Sequence, residues 1–374
     1  MTATPAPRTA GASVFARIAL VFYGLLIVYA SWYPFSGWRD NGMPLLAYLR
    51  APLPYYWTGF DLAVNMAGYM PFGLLLVFAM FPHVRGVSAM LLATALGTLL
   101  SGVMEAVQNF LPSRVPSNLD LMTNAAGVAL GALAGMLTAR IFLEESRILG
   151  LRRLWFSQEA SRGLIVLGLW PLAQIYPQAY LFGHGQWLPV LSEWLSQWWG
   201  SPVDLGALLR RGVDPTIEQY WLAETIVTAC GLTGAALTLL CLSRDRAPRL
   251  ALVLVLAAAA LAAKTLAFAL LFAPQNAFAW FTPGARGGLL VGAIMLYGLY
   301  AAPVVAQRRV AALVLLISLA VVNIMPANPY FESTLQAWVQ GKFLNFNGAA
   351  RFLSLAWPLF TLWFLYHPVH RVKR

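Results

Sequence analysis

Seven polar side chains stand out in an otherwise apolar chain: Asp61, Asn65, Glu105, Gln108, Arg114, Asp120 and Asn124. Asp61 and Asn65 are spaced i,i+4, Glu105 and Gln108 i,i+3, and Asp120 and Asn124 i,i+4, so on helices each pair occupies one face. Amides and carboxylates grouped around a guanidinium can hydrogen-bond a peptide or a sugar. The planar fork of Arg114 can serve two carboxylates or hold an anionic ligand group. Three carboxylates also permit proton transfer or oxygen ligation of a hard cation. Against an enzyme, the group holds no histidine, and the chain has no HExxH, no Ser-His-Asp arrangement and no phosphate-cradling glycine loop. The four histidines, His83, His184, His367 and His370, read as solvated loop or tail residues. No metal site and no cofactor are expected.

The plainer alternative is structural. Asp61 and Asp120 stand where helices begin, and a carboxylate there caps free N–H groups and meets a favourable dipole. Glu105 lies at the C-terminal end of its segment, where the dipole opposes it, so capping does not explain it. A clamp in which Arg114 pairs with Glu105 and Asp120 would. A second charged feature lies further along: Lys264 falls deep within an apolar run. An unpaired lysine there would cost about 2.5–3.5 kcal/mol on insertion scales. Glu224 is expected to approach it, directly or through water.

What must position these residues is a membrane bundle. The 374 residues are 60% hydrophobic and only 10% charged, against about 25% charged in soluble domains. Apolar runs of about 20 residues read as spanning helices, near 14–33, 61–81, 87–109, 119–141, 162–182, 220–242, 249–273, 287–305, 309–326 and 348–366. The run at 14–33 reads as a retained first span rather than a cleaved leader. Pro71 and Pro358 are expected to kink their helices. With both ends cytoplasmic, sixteen Lys and Arg residues lie inside and eight outside, the bias that membrane topology favours. That distribution accounts for the net charge of +11 without nucleic acid. In this orientation all seven polar residues share the outer end of three helices.

Two outer connections read as periplasmic interfacial helices: WLPVLSEWLSQWWG, with its tryptophans suited to headgroup level, and FESTLQAWVQGKF. Cys230 and Cys241, eleven residues apart on one helix, are held about 16 Å apart and cannot bridge. A faint internal echo links SWYPF and the helix after it to PANPYF and the last helix of the chain.

YPFS at Tyr33–Ser36, DLAVNMAGYMPFG at Asp61–Gly73, SGVMEAVQNFLPSR at Ser101–Arg114 and NLDLMTNAAGVALGALAG at Asn118–Gly135 resemble, in order and spacing, the VanZ-like family, named for the teicoplanin-resistance protein. The resemblance covers residues 15–142 or so. It implies a four-helix domain over residues 1–142, placed in bacterial inner membranes and linked in its founding member to glycopeptide-antibiotic tolerance. It implies no catalytic set. Residues 143–374 form a six-helix membrane region beyond it.

The expectation is therefore an all-α polytopic membrane protein of the cell envelope. It sits in the lipid bilayer and takes a lipid-linked or peptidoglycan-precursor ligand in an outward-facing polar pocket. A transporter or flippase of such a precursor, and then an intramembrane enzyme, are the alternatives. Topology is directly testable: reporters fused after Glu159 and Gln197 should read cytoplasmic and periplasmic respectively. The reverse pattern would invert the outer face.

Overall fold

The computed structural model describes residues 14–33, 35–143, 147–157, 160–272, 274–326, 331 and 344–367. Among these the chain is helical, with one isolated β-bridge between Phe156 and Ser243 and no strand. The helices are α1 (Val14–Trp32), α2 (Gly59–Met80), α3 (Gly86–Gln108), α4 (Asn118–Leu143), α5 (Arg147–Trp155), α6 (Ala160–Ala173), α7 (Trp187–Trp199), α8 (Leu205–Leu209), α9 (Ile217–Leu242), α10 (Arg249–Leu271), α11 (Pro283–Leu299), α12 (Val304–Ile324) and α13 (Leu344–Tyr366). Seven of the ten expected spans, in α2, α3, α4, α9, α10, α12 and α13, are long and apolar enough to cross a membrane. The first and fifth are shorter apolar helices, Ala16–Trp32 and Ala160–Ala173, and the eighth is the 17-residue α11. The chain folds as two compact units, Met1–Leu151 and Arg152–Arg374.

In the first unit α2 begins at a capping box: the Thr58 side chain accepts from the Asp61 N–H, and the Asp61 carboxylate accepts from the Thr58 N–H. The helix then runs through Pro71 to Met80. Its main partner is α4, and the approach is close because small residues line it. A Cβ added at Gly131 would lie 1.8 Å from the Met70 carbonyl oxygen, one at Gly127 2.3 Å from that of Met66, and one at Gly73 2.2 Å from that of Val128. This is the small-xxx-small packing that membrane helices use where lipid and side chain are equally apolar. Ala89, Ala93, Val128 and Ala132 fill the core beneath. At the far end Arg17 donates to the Ala79 carbonyl, so α1 runs antiparallel along α2.

The second unit is built around α9, almost wholly buried from Ala223 onward. It repeats the small-residue contact: Gly284, Gly288 and Gly292 of α11 lie against Glu224, Thr228 and Ala229. Cys230 and Cys241 are buried on α9 as free thiols.

The structure departs from the expected spans chiefly at the fifth. The helix expected over 162–182 stops at Ala173, after Pro171 in its last turn. Residues 174–186 instead form a compact, turn-rich connection, with Pro177 restricting the residue before it to extended backbone. Helix α7 follows as expected, but with its serines turned inward. Ser192 is buried and accepts from the Leu205 N–H, while Leu191, Trp194, Trp198 and Trp199 are exposed. Residues 332–343 of the second interfacial segment and residues 327–330 of the echo's later copy lie outside the described residues.

The α2–α4 contact yields a sharp expectation. Gly131→Ala should destabilise the first unit by about 1–3 kcal/mol, the range for overpacking. Gly68→Ala, whose Cβ meets nothing within 4 Å, should be neutral or stabilising by less than about 1 kcal/mol. Thermal unfolding in detergent compares the two.

Candidate functional site

The C-terminal ends of α1 and α3 meet the N-terminal ends of α2 and α4 at one end of the first unit, and six of the seven polar residues use their side chains there to join segments. The Asn65 amide donates to Asp120 Oδ1 at 2.9 Å, tying α2 to α4. The buried Glu105 carboxylate accepts the Ser117 N–H at 2.8 Å, fixing the turn into α4. The Asn124 amide donates to Ser101 Oγ at 2.9 Å. Gln108 and Arg114 both reach α1, donating to the carbonyls of Ser31 at 3.0 Å and Tyr33 at 3.1 Å. Asp61 stands apart, its carboxylate spent on the Thr58 cap. The connection before α2 lies over this end: Asn41 donates to the Asn109 carbonyl, Asn109 to that of Met43, Tyr48 to that of Gly102 and Asn118 to that of Ala51. Tyr55, Tyr56 and Trp57 stand out from that connection, strongly exposed.

The expected clamp is not formed. No ion pair joins Arg114 to Glu105 or Asp120 among the described residues. The guanidinium is aimed at the Tyr33 carbonyl instead, and its Nε is buried with no hydrogen-bond partner among the described residues. Burial lowers the Arg114 pKa, and the Glu105 charge opposes that shift. The two groups thus act on each other through space without touching. Sequence reasoning missed Tyr69 and Ser101, which meet inside the cluster. Helical spacing carried the signal: Tyr69 continues the face of Asp61 and Asn65, and Ser101 lies one turn before Glu105.

In the second unit Lys264 is fully buried, as its position in the run implied, but the expected direct pair with Glu224 is not made. Glu224 Oε1 accepts the Thr282 hydroxyl at 2.5 Å, and that hydroxyl also caps α11 through the Ala285 N–H. The carboxylate therefore sits at the start of α11, where the helix dipole favours it. The face of α9 that carries it is turned to α11, not to α10. Lys264 Nζ has no hydrogen-bond partner among the described residues and lies 5.0 Å from the Phe268 ring centroid.

Nor is His184 a solvated loop histidine. It is buried between two amides: Gln174 Nε2 lies 2.5 Å from its Nε2, and Gln178 Nε2 lies 2.9 Å from its Nδ1. Ser354 reaches both Gln178 and His184, and the Trp357 ring centroid lies 5.4 Å from the imidazole. Burial lowers the His184 pKa, and the Lys264 charge lowers it further. Among the described residues no three His, Cys, Asp or Glu side chains come together as a metal set.

Fold and site together define a multi-pass, all-α membrane protein with a polar, partly exposed helix-end cluster in its N-terminal unit. Residues 14–140 match the model of the VanZ/LLP1 family. That stretch is about a third of the chain, and it includes α1 to α3, most of α4 and every residue of the cluster. The chain thus carries a VanZ-like domain there. No curated protein and no solved structure matches the chain.

The Glu105–Ser117 bond separates two substitutions. Glu105→Ala leaves a buried N–H unpaired and should lower stability by about 1–3 kcal/mol. Glu105→Gln keeps an acceptor oxygen and should cost less than half of that. Thermal unfolding of the detergent-solubilised chain reads both.

Proposed function

We propose that the helix-end cluster of the VanZ-like unit faces the periplasm and binds a cell-wall or lipid-linked ligand at the outer leaflet of the bacterial inner membrane. The observation that carries this reading is Arg114. It is a half-buried cation that, among the described residues, has no carboxylate bonded to it and one N–H without a partner, beside a buried Glu105 and a partly exposed Asn65–Asp120 pair. An arginine kept from its neighbouring carboxylates retains capacity for a ligand oxygen. The amides supply donors and acceptors for peptide or sugar groups. Tyr55, Tyr56 and Trp57 give a ligand with an apolar tail a surface at membrane level. On this reading the glycopeptide tolerance associated with the family's founding member would follow from sequestering or masking a peptidoglycan precursor.

Binding of a polyprenyl-linked disaccharide-peptide to the chain in nanodiscs tests it. Arg114→Gln and Asp120→Asn should each weaken binding about tenfold or more, the cost of losing a hydrogen bond to a charged group, while helix content stays unchanged. Teicoplanin susceptibility of cells expressing the variants should move in step. Folded variants with wild-type affinity and susceptibility would overturn the reading. Substrate-dependent flux of the same precursor in proteoliposomes would instead favour transport.

A further inference from the structure

An open trough of about 440 Å³ lies in the second unit, where the start of α9 meets the end of α12. This volume falls within the range of small-molecule sites. Its walls are mostly apolar, from Leu222, Ala223 and Ile226 of α9 and Val321 and Ile324 of α12, with Gln219 and Arg210 also on the lining. We propose that it is a binding site for an anionic phospholipid, with the phosphate on Arg210 and one acyl chain along the α9–α12 trough.

The arginine is held in place at the trough rather than left free on the surface. Its Nη1 donates to the Ile324 carbonyl at 2.5 Å, and its side chain is only 12% exposed. The one carboxylate paired with it, Asp204, lies 3.8 Å from Nη2 and is itself engaged in capping α8 through the Ala207 N–H. Arg210 Nε is buried with no partner among the described residues. The turn after α8 places the residue: the Gly212 N–H bonds to the Ala207 carbonyl, and Arg211 and Gly212 both take left-handed backbone.

Depth is set by α7. Its exposed Trp194, Trp198 and Trp199 belong at the headgroup level. Its Ser192 and Ser196 hydroxyls accept the N–H groups of Leu205 and Val203, tying α8 to it. Arg210 therefore lies near the headgroups. Leu222 and Ile226 lie roughly 8–14 Å along α9 from its first residue, towards the hydrocarbon. A charge at headgroup depth joined to an apolar trough leading inward is complementary to a lipid carrying net negative charge.

The full chain in detergent, titrated with phosphatidylglycerol and phosphatidylcholine and read by native mass spectrometry, tests this. The wild type should prefer phosphatidylglycerol. Arg210→Gln should weaken it about fivefold, the worth of one basic residue at an anionic surface, and erase the preference. Arg210→Lys should keep the preference, and Leu222→Trp, filling the trough at an exposed position, should weaken both lipids. Equal wild-type affinities, a preference surviving Arg210→Gln, or full affinity in Leu222→Trp would each overturn the proposal. Displacement of phosphatidylglycerol by millimolar inorganic phosphate would as well, since it would make the site a phosphate site. Should Arg210→Gln fail to fold, the Leu222→Trp result alone decides.

Discussion

The first unit depends on the near-contact of two backbones. Gly127 and Gly131 on α4 let it lie on the carbonyls of Met66 and Met70, and Gly73 lets α2 return the approach at Val128. Side chains of any size would hold the helices apart, and Asn65 would no longer reach Asp120 across the gap. The polar end is thus a consequence of the apolar middle. In lipid, burying Leu against Leu gains little over burying it against acyl chains, so the association of α2 and α4 rests on packing and on the few polar bonds at their ends.

The same medium dictates how those polar groups are used. Water is absent from the hydrocarbon core, and a group without a protein partner there is costly. Most of the buried amides and hydroxyls accordingly bond to backbone rather than to each other: Thr228 to Leu181, Thr238 to Gly234, Gln307 to Leu299. Among the described residues the exceptions in the first unit are Arg114, Asn118 and Asn124; in the second, Trp170, Gln174, Gln178 and Lys264 are joined by Arg210, Glu224 and Arg249.

Much of the fold was legible in the sequence because hydropathy and length act locally. The long helices, and the capping role of Asp61, follow from neighbouring residues. Within the polar cluster, shared depth put Asn65 and Asp120 at the same end of the helices, where they bond, and the dipole argument asked for a partner to Glu105; that partner is a backbone N–H and not Arg114. What failed was tertiary. Glu224 was matched to Lys264 because their helices are consecutive, whereas α9 turns that face to α11. His184 read as loop and therefore wet. Nothing in its local sequence reveals that Trp357 and Ser354, some 170 positions away, enclose it. The end of α6 at Ala173 was masked by the apolar residues that continue past it, since hydropathy alone does not distinguish a buried connection from a helix.

The inward-facing serines of α7 bear on how the second unit fits a bilayer of given thickness. Helix α9, with 26 residues, is about 39 Å long, against a hydrocarbon core of about 30 Å. A lone helix would tilt to absorb that hydrophobic mismatch, but α9 is enclosed by its neighbours and cannot tilt by itself. Because α7 presents tryptophans outward while its serines grip the unit, one end is pinned at a single depth. The excess length then falls to the other end, where the exposed Arg244 and Arg246 follow α9 and long basic side chains can extend to the interface. Variation in bilayer thickness is thereby taken up asymmetrically, at the arginine end.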